Sequence, residues 1–178
     1  MEKLILVDKN DEIIGFEEKV KCHLDKGLLH RAFTILLFDN DNNVLLQKRA
    51  QSKMLWPLYW EATCSSHPRE NETYEQSGKR RLKEELGIST DLKLIDKFYY
   101  QSFYKDIGAE HELCATLAGD YNEKQIDFNQ DEIVDLKWIE INELKKEFNQ
   151  NPQDYAPWLK IAINRIEEKH GNHIKAIL

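Results

Sequence analysis

The sequence predicts an α/β fold in which helices pack on a mixed β-sheet. Short runs rich in β-branched and aromatic residues lie on both sides of a central segment with helical periodicity, and two further helical segments follow them. Hydrophobic residues make up 41% and charged residues 32% of the 178 residues, a balance typical of globular domains. A chain of this length is expected to form a single domain over residues 1–178.

Four strands are predicted before the central helix, as short runs of apolar and β-branched residues. Between the third and fourth runs, residues 39–43 are all Asp or Asn, which favour turns because they tolerate a left-handed backbone. A turn is therefore expected there. The predicted strands are Leu4–Val7, Glu12–Phe16, Ala32–Phe38 and Val44–Gln47.

The central helix is predicted over Asn71–Leu86. Asn71 is expected to be the N-cap, and Glu72 and Glu75 suit the positive end of the helix dipole. Gly87 stands where a glycine commonly ends a helix in a left-handed conformation. Beyond this helix, strands are expected at Leu92–Phe103, Glu110–Ala118 and Val134–Ile139, and helices at Ile141–Asn149 and Pro157–Lys169.

Composition excludes several classes of protein. The net charge of -7 argues against a nucleic-acid-binding module, which would present a basic stripe. The longest apolar run, at residues 35–38, is far shorter than the ~20 residues that span a bilayer. Three cysteines without framework spacing are typical of a reducing compartment. We therefore expect a cytoplasmic protein with no nucleic-acid partner and no membrane insertion.

The central helix carries a charged pair within its apolar stripe. At 100° per residue, Tyr74, Leu82 and Leu86 share one face, and Arg81 and Glu85 fall inside that face. Charges there are costly to bury unless they are paired or bound to a ligand. Either the two residues form an i,i+4 ion pair on a mostly exposed helix, or they face a metal-bound phosphate.

The spacing around this helix resembles the Nudix box, G-x5-E-x7-R-E-U-x-E-E-x-G-U, where U is a bulky aliphatic residue. Ser66 replaces the opening glycine, and Arg81 replaces the first glutamate of the R-E-U-x-E-E core. Nudix hydrolases use these glutamates to hold Mg²⁺ against a diphosphate, so the loss of one argues against hydrolysis. The residues on the family spacing are Ser66, Glu72, Arg80, Arg81, Leu82, Glu84, Glu85, Gly87 and Ile88.

A second set of motifs, from about Lys19 to Trp158, is similar to the type 1 isopentenyl-diphosphate isomerases. This resemblance implies a Nudix-like α/β/α sandwich with a mixed β-sheet. It also implies a 1,3-allylic proton shift that converts isopentenyl diphosphate into dimethylallyl diphosphate. The motifs are Lys19-x3-His23-x6-His30, Lys48-Arg49-Ala50-x2-Lys53, Trp56-Pro57, Cys64-Ser65-Ser66-His67-Pro68, Arg80-Arg81-Leu82-Lys83-x-Glu85-Leu86-Gly87, Glu110-His111-Glu112 and Pro157-Trp158.

Glu110 and Glu112 are two residues apart on a predicted strand, so both carboxylates project from the same face. Such close like charges repel unless a cation lies between them, although two solvated glutamates on an exposed face are the alternative. His111 points to the opposite face and is not expected to be a ligand. Nitrogen and oxygen ligands together suit Zn²⁺ or Mn²⁺. The resemblance implies one such ion held by His23, His30, His67, Glu110 and Glu112.

The resemblance also implies a site for a small prenyl diphosphate on a monomeric or weakly dimeric enzyme. Glu85 would hold a Mg²⁺ that bridges to the diphosphate. Trp158 would stabilise a carbocation through cation–π attraction. Arginine binds phosphate through bidentate hydrogen bonds and lysine acts as a point charge. The basic residues implied at the diphosphate are Lys19, Arg49, Lys53 and Arg81.

Protonation of an alkene demands a strong acid in a dry pocket, and Glu112 with Tyr100 beside it is the expected acid relay. The isomerases use a cysteine, two residues before the histidine of the His-Pro pair, for the second proton. Here that position is Ser65, whose hydroxyl is far less acidic than a thiol. Cys64 is adjacent, but neighbouring side chains of an extended backbone face opposite ways.

Three functions therefore remain open at this point. The first is an isomerase, working or weakened, that uses Ser65. The second is a Nudix diphosphate hydrolase, which Glu84 favours because it belongs to the Nudix core and which Arg81 opposes. The third is a prenyl-diphosphate binder that keeps the basic and metal-binding residues but lacks the base.

Overall fold

The computed structural model describes residues 2–170. Within this range, nine strands form one sheet, and four α-helices and a 3-10 turn at Pro152–Asp154 accompany it. The helices are α1 (Lys19–His23), α2 (Tyr74–Leu86), α3 (Ile141–Gln150) and α4 (Pro157–His170). The strands are β1 (Lys3–Val7), β2 (Ile13–Glu18), β3 (His30–Phe38), β4 (Asn43–Arg49), β5 (Trp60–Glu61), β6 (Cys64–Ser66), β7 (Lys93–Tyr104), β8 (Gly108–Asp120) and β9 (Ile133–Glu140).

Strand β3 lies at the centre of the sheet. It runs parallel to β8 along its whole length, and it pairs antiparallel with β1, β4 and β6. Beyond β8 lies β7, and β9 pairs with β4, both antiparallel. The sheet therefore contains parallel and antiparallel neighbours, which confirms the predicted mixed sheet.

Alternating side chains of β3 enter two separate apolar clusters, because successive residues of a strand face opposite sides. Leu36 packs in a cluster that includes Leu159 of α4 and residues of α3. Ile35 packs in the other cluster with Leu82 of α2. Helix α2 therefore covers one face of the sheet and α3 and α4 cover the other, which confirms the predicted α/β/α sandwich.

Helix α2 begins later than predicted, with Thr73 rather than Asn71 as its N-cap. The Thr73 hydroxyl accepts from the backbone N–H of Gln76 at 3.2 Å, and the Gln76 side chain accepts from the Thr73 N–H at 2.9 Å. This capping box satisfies two unpaired donors at once, whereas Asn71 adopts φ 68° in the preceding turn. The predicted end at Gly87 is confirmed by its left-handed φ of 66°.

Three short elements close to the functional site were not predicted. Helix α1 has five residues, and β5 and β6 have two and three, too few to show a hydrophobic period. Helix α1 and strand β6 contain motif residues, among them Lys19, His23 and Ser65. Among residues 2–170, no helix combines the length and apolar character that crossing a membrane requires.

Candidate active site

Three histidine rings meet at one end of the sheet. His23 ends α1, His30 opens β3, and His67 follows β6, with ring centroids 4.8 to 5.3 Å apart. Glu112 of β8, the register partner of His30, joins them. The possible ligand atoms of these four buried residues all lie within 4.8 Å of one another. The structure thus brings together four of the five residues expected to bind a metal ion.

Hydrogen bonds orient two of the rings for metal binding. Nδ1 of His23 lies 2.6 Å from the Lys19 carbonyl, and Nδ1 of His30 lies 2.7 Å from the Leu28 carbonyl. Because a carbonyl only accepts, each Nδ1 carries a proton, which leaves Nε2 as the nitrogen that can bind a metal in the neutral ring. Nε2 of His30 and both ring nitrogens of His67 are buried without a hydrogen-bond partner among residues 2–170. A divalent cation fits this set of unpaired nitrogens beside a carboxylate.

The neutral form of His67 suits the same role. Burial, together with the nearby His30 and Lys19, holds the pKa of His67 well below its usual value.

Glu110 lies beside this cluster rather than within it, with its Oε2 3.0 Å from Nε2 of His23. His111 faces away, as expected, and its Nε2 lies 2.8 Å from the Tyr99 hydroxyl.

Tyr100 is the hydrogen-bond donor to Glu112. The two residues are direct partners of β7 and β8, and the hydroxyl donates to Oε2 at 2.7 Å. Burial raises the pKa of Tyr100 well above its usual value, so the phenol keeps its proton. Burial also acts to raise the pKa of Glu112, but the adjacent His30 and the hydrogen bond from Tyr100 outweigh it and lower that pKa. Once protonated, Glu112 is therefore a stronger acid than an ordinary glutamic acid.

A pocket at the histidine cluster is lined by most of the predicted site residues. Cationic side chains and apolar or aromatic ones share its wall, a combination suited to a ligand with a phosphate group and a hydrocarbon chain. Two predicted site residues, His30 and Glu85, contact the lining without forming part of it. The lining residues are Lys19, Val20, His23, Phe33, Arg49, Lys53, Met54, Leu55, Ser65, Ser66, His67, Arg81, Tyr100, Glu110, Glu112, Cys114 and Trp158.

Of the charged pair of α2, Arg81 lines this pocket and Glu85 is buried next to it. Arg81 forms an ion pair with Glu85, which is 3% exposed and also accepts from the Gln47 side chain at 3.3 Å. Burial raises the pKa of Glu85. The i,i+4 pair therefore exists, but the alternative that placed it on a mostly exposed helix is wrong.

Sequence reasoning missed Glu132, which pairs with two of the predicted cationic residues. It forms an ion pair with Lys53, and its Oε1 lies 3.3 Å from Nη2 of Arg81. Lys53 and Glu132 are 79 positions apart, so no local pattern links them. This carboxylate balances part of the positive charge of Lys53 and Arg81.

Glu61 is the second missed residue. It is 2% exposed on β5, where it accepts from Nη1 of Arg49 at 2.7 Å and from Nε1 of Trp158 at 3.0 Å. The one available signal was the position of this charge between Trp60 and Ala62, just before the Cys-Ser-Ser-His-Pro motif.

Ser65 and Cys64 face opposite sides of β6, as predicted. Ser65 lines the pocket, and its Oγ lies 3.1 Å from Oγ1 of Thr34. Cys64 packs in the apolar cluster of α2 with Leu82. Burial raises the pKa of the Cys64 thiol well above its usual value. Neither the position nor the acidity of Cys64 suits it to replace Ser65 in the pocket.

Comparison with known proteins identifies a matching domain family and similar proteins. Residues 28–159 match the NUDIX domain family. The isopentenyl-diphosphate Delta-isomerase of Haloarcula marismortui is 34% identical over 177 residues, which cover 94% of this chain and 92% of that protein. Isopentenyl-diphosphate Delta-isomerase 2 of Photorhabdus laumondii is 40% identical over 163 residues, with 92% and 91% covered.

Solved structures are more distant in sequence but similar in fold. A crystal structure of a Deinococcus radiodurans protein matches with a TM-score of 0.73 at 16% identity, over 92% of this chain and 98% of that chain. A MutT protein from Methanosarcina mazei matches with a TM-score of 0.65 at 13% identity, over 79% and 94% of the two chains. At these identities the matches show the fold alone.

Proposed function

The chain belongs to the NUDIX family and, within it, to the isopentenyl-diphosphate Delta-isomerases, and from this premise we propose how its side chains act. The enzyme converts isopentenyl diphosphate into dimethylallyl diphosphate: one proton adds to the terminal alkene carbon, and another leaves from C2. This reaction needs an acid, a proton acceptor, a group that stabilises a cation, and a diphosphate site. The observation that carries the proposal is that one pocket contains residues suited to all four tasks.

Glu112 is the proposed acid. Its buried carboxyl group lines the pocket and receives the Tyr100 hydrogen bond at 2.7 Å, which orients it and stabilises the carboxylate that remains after proton transfer. Tyr100 acts as the relay partner because its hydroxyl can pass a proton to Glu112 while it takes up another from solvent, so the phenol stays protonated. The lowered pKa of Glu112 suits the protonation of a weakly basic alkene carbon.

Trp158 is the proposed stabiliser of the tertiary cation that forms after protonation. An indole face supplies electron density without a nucleophilic atom that would trap the cation. Trp158 is 3% exposed, and Trp56 packs edge-on against it with ring centroids 5.4 Å apart. The ring is therefore held in one orientation at the pocket wall.

Ser65 is proposed to take part in the second proton transfer. Its hydroxyl is partly exposed in the pocket and lies next to the Thr34 hydroxyl. It can accept the C2 proton while passing its own proton to solvent. An alcohol is a weaker base in this role than a thiolate, because its conjugate base forms far less readily.

The diphosphate is proposed to bind at the cationic residues of the pocket. Arg81 and Lys53 would exchange part of their contact with Glu132 for phosphate oxygens. Glu85, which is buried next to Arg81, would hold the Mg²⁺ that accompanies the diphosphate, since Mg²⁺ prefers oxygen ligands. The proposed diphosphate-binding residues are Lys19, Arg49, Lys53 and Arg81.

A resident divalent cation is proposed at the histidine cluster. His23, His30, His67 and Glu112 would bind it, with Glu110 as the fifth ligand, and this nitrogen-rich set favours Zn²⁺ or Mn²⁺ over Mg²⁺. When bound, such an ion supplies Lewis acidity next to the Glu112 carboxyl group. The chain itself contributes the buried position and the fixed orientation of the imidazoles.

One assay tests the isomerase against the two alternatives. The purified protein is incubated with isopentenyl diphosphate and Mg²⁺, and we expect dimethylallyl diphosphate. Free phosphate without this product would indicate a hydrolase, and unchanged substrate that remains bound would indicate a binder. Glu84, on which the hydrolase alternative rests, is exposed, does not line the pocket and pairs with Arg80 and Arg81.

A further inference from the structure

A buried carboxylate joins two of the proposed substrate-binding residues. Glu61 accepts from Arg49 with one oxygen and from the Trp158 indole with the other, at 2.7 and 3.0 Å. The Arg49 guanidinium carbon lies 5.2 Å from the centre of the Trp158 ring. The three side chains therefore form a closed arrangement in which each contacts the other two.

We propose that Glu61 is a positioning residue that prepares Trp158 to stabilise the cationic intermediate. The inference rests on the proposed function, in which the Trp158 ring faces that cation. Glu61 acts through the indole N–H and through Arg49 rather than by touching the substrate, because it does not line the pocket.

The first effect is on the electrons of the indole ring. A buried indole N–H needs an acceptor, and a neutral carbonyl would be enough for packing. A carboxylate acceptor instead polarises the N–H bond, which increases the electron density on the ring face that meets the cation. Such preorganised electrostatics act where charge develops during the reaction.

The second effect is on the guanidinium of Arg49. A bare guanidinium so close to the ring would occupy the cation–π position and repel a second cation in the pocket. The Glu61 carboxylate neutralises this charge, and the backbone carbonyls of Trp56 and Leu55 hold the other side of the guanidinium at 2.9 and 3.0 Å. Arg49 is thereby kept in place while its repulsion of the intermediate is reduced.

The test compares two ligands that differ in one charge. Dimethylallyl diphosphate is neutral at its hydrocarbon end, whereas a dimethylaminoethyl diphosphate carries an ammonium group in the place of the cation. Isothermal titration calorimetry with Mg²⁺ gives both dissociation constants. Their ratio reports cation recognition, because the diphosphate contacts are common to both ligands.

We expect Glu61→Gln to lower the preference for the ammonium ligand by about tenfold, as for loss of a desolvated cation–π contact. Trp158→Phe, which keeps a ring but has no N–H, should also lower it. In the Trp158→Phe background, Glu61→Gln should have a smaller effect on the ratio, because only its effect through Arg49 remains. Glu132→Gln is the matched control, since it removes a carboxylate from Lys53 and Arg81 without contact to Trp158, and it should leave the ratio unchanged.

Other outcomes overturn the inference in distinguishable ways. If Trp158→Phe lowers the ratio but Glu61→Gln does not, Glu61 has only a structural role. If Glu61→Gln weakens both ligands equally, it acts on the diphosphate through Arg49 alone. If Trp158→Phe leaves the ratio unchanged, the cation role of Trp158 in the proposed function fails, and the inference fails with it.

A measurement on the unmodified enzyme covers the case in which Glu61→Gln does not fold. The indole N–H proton of Trp158, assigned by NMR from its absence in Trp158→Phe, should exchange slowly with solvent. It should also shift when the ammonium ligand binds, by more than with dimethylallyl diphosphate. A rapidly exchanging proton, or equal shifts with both ligands, would contradict the inference.

Discussion

The hydroxyl of Tyr100 donates a 2.7 Å hydrogen bond to Glu112, and these two residues are direct partners in the pairing of β7 with β8. On the other side of β8, Glu112 pairs in register with His30 of β3. A phenol, a carboxylate and an imidazole therefore lie in one row across three strands. A shift of one residue in either pairing would turn one of them to the opposite face of the sheet.

Glu112→Gln should abolish isomerisation, because it removes the proposed acid and one proposed metal ligand together. Tyr100→Phe should lower turnover by about ten- to a hundredfold, the effect of losing one hydrogen bond to a charged group. Initial rates of dimethylallyl diphosphate formation measure both. His111→Gln, on the opposite face of β8, is the control and should retain the normal rate. A fully active Glu112→Gln enzyme would exclude Glu112 as the acid.

His67→Ala should lower the metal content of the purified protein, since the loss of one ligand weakens binding by at least about tenfold. Elemental analysis after purification without chelator measures this content. Chelation should also lower the melting temperature, because the cluster joins α1, β3 and β8. His111→Ala should keep both the metal and the melting temperature. Equal metal content in His67→Ala and the unmodified protein would remove His67 from the ligand set.

Ser65→Cys should raise kcat and leave KM roughly unchanged. A thiol forms its conjugate base more readily than an alcohol, while the proposed diphosphate contacts are untouched. Exchange of oxygen for sulfur adds little volume, so the fold should persist. Steady-state kinetics with isopentenyl diphosphate measure the two constants. A Ser65→Cys enzyme no faster than a robustly active parent would show that the serine is not a handicap.

Asp96 should make stability depend on pH. Burial acts to raise its pKa, but hydrogen bonds from Arg165, at 2.5 Å, and from Lys169 outweigh it and lower that pKa. A lowered pKa stabilises the fold above the unfolded value near 4, and this contribution is lost as the pH falls through the folded value. Asp96→Asn should therefore lower the free energy of unfolding by roughly 1–2 kcal/mol at pH 7.

Urea unfolding at pH 7 and at pH 3 measures this dependence. The difference between Asp96→Asn and the parent should shrink at the lower pH. Asp91→Asn removes a fully exposed partner of Lys79 and should leave stability nearly unchanged. An equal cost of Asp96→Asn at both pH values would show that the Asp96 charge does not stabilise the fold.

The longer strands and helices could be predicted because each has enough residues to show its hydrophobic period. The predicted Ala32–Phe38 and Glu110–Ala118 lie within β3 and β8, and only their ends differ from the structure. The N-cap of α2 was harder, because Asn71 and Thr73 are both favourable capping residues. What distinguishes them is Gln76, which completes the reciprocal bonds with Thr73.

Only the site residues that belong to the sequence motifs could be predicted. His23, His30, His67 and Glu112 come together as the resemblance implied. The partners Glu61 and Glu132 could not be found, because Glu61 meets Trp158 across 97 positions and no periodicity encodes such a contact. Motifs identify groups that meet a ligand, whereas the carboxylates that hold those groups depend on the tertiary fold.

The placement of the three cysteines has a consequence for the redox chemistry of the enzyme. Burial raises the pKa of Cys22 to about 11 and that of Cys64 and Cys114 well above the usual value. Peroxide and alkylating reagents attack the thiolate, which these buried thiols rarely form. Among residues 2–170, Cys114 is the one thiol that lines the pocket, and it is buried, while position 65 is an alcohol. We therefore expect thiol reagents to inactivate this chain more slowly than one with a reactive cysteine at position 65.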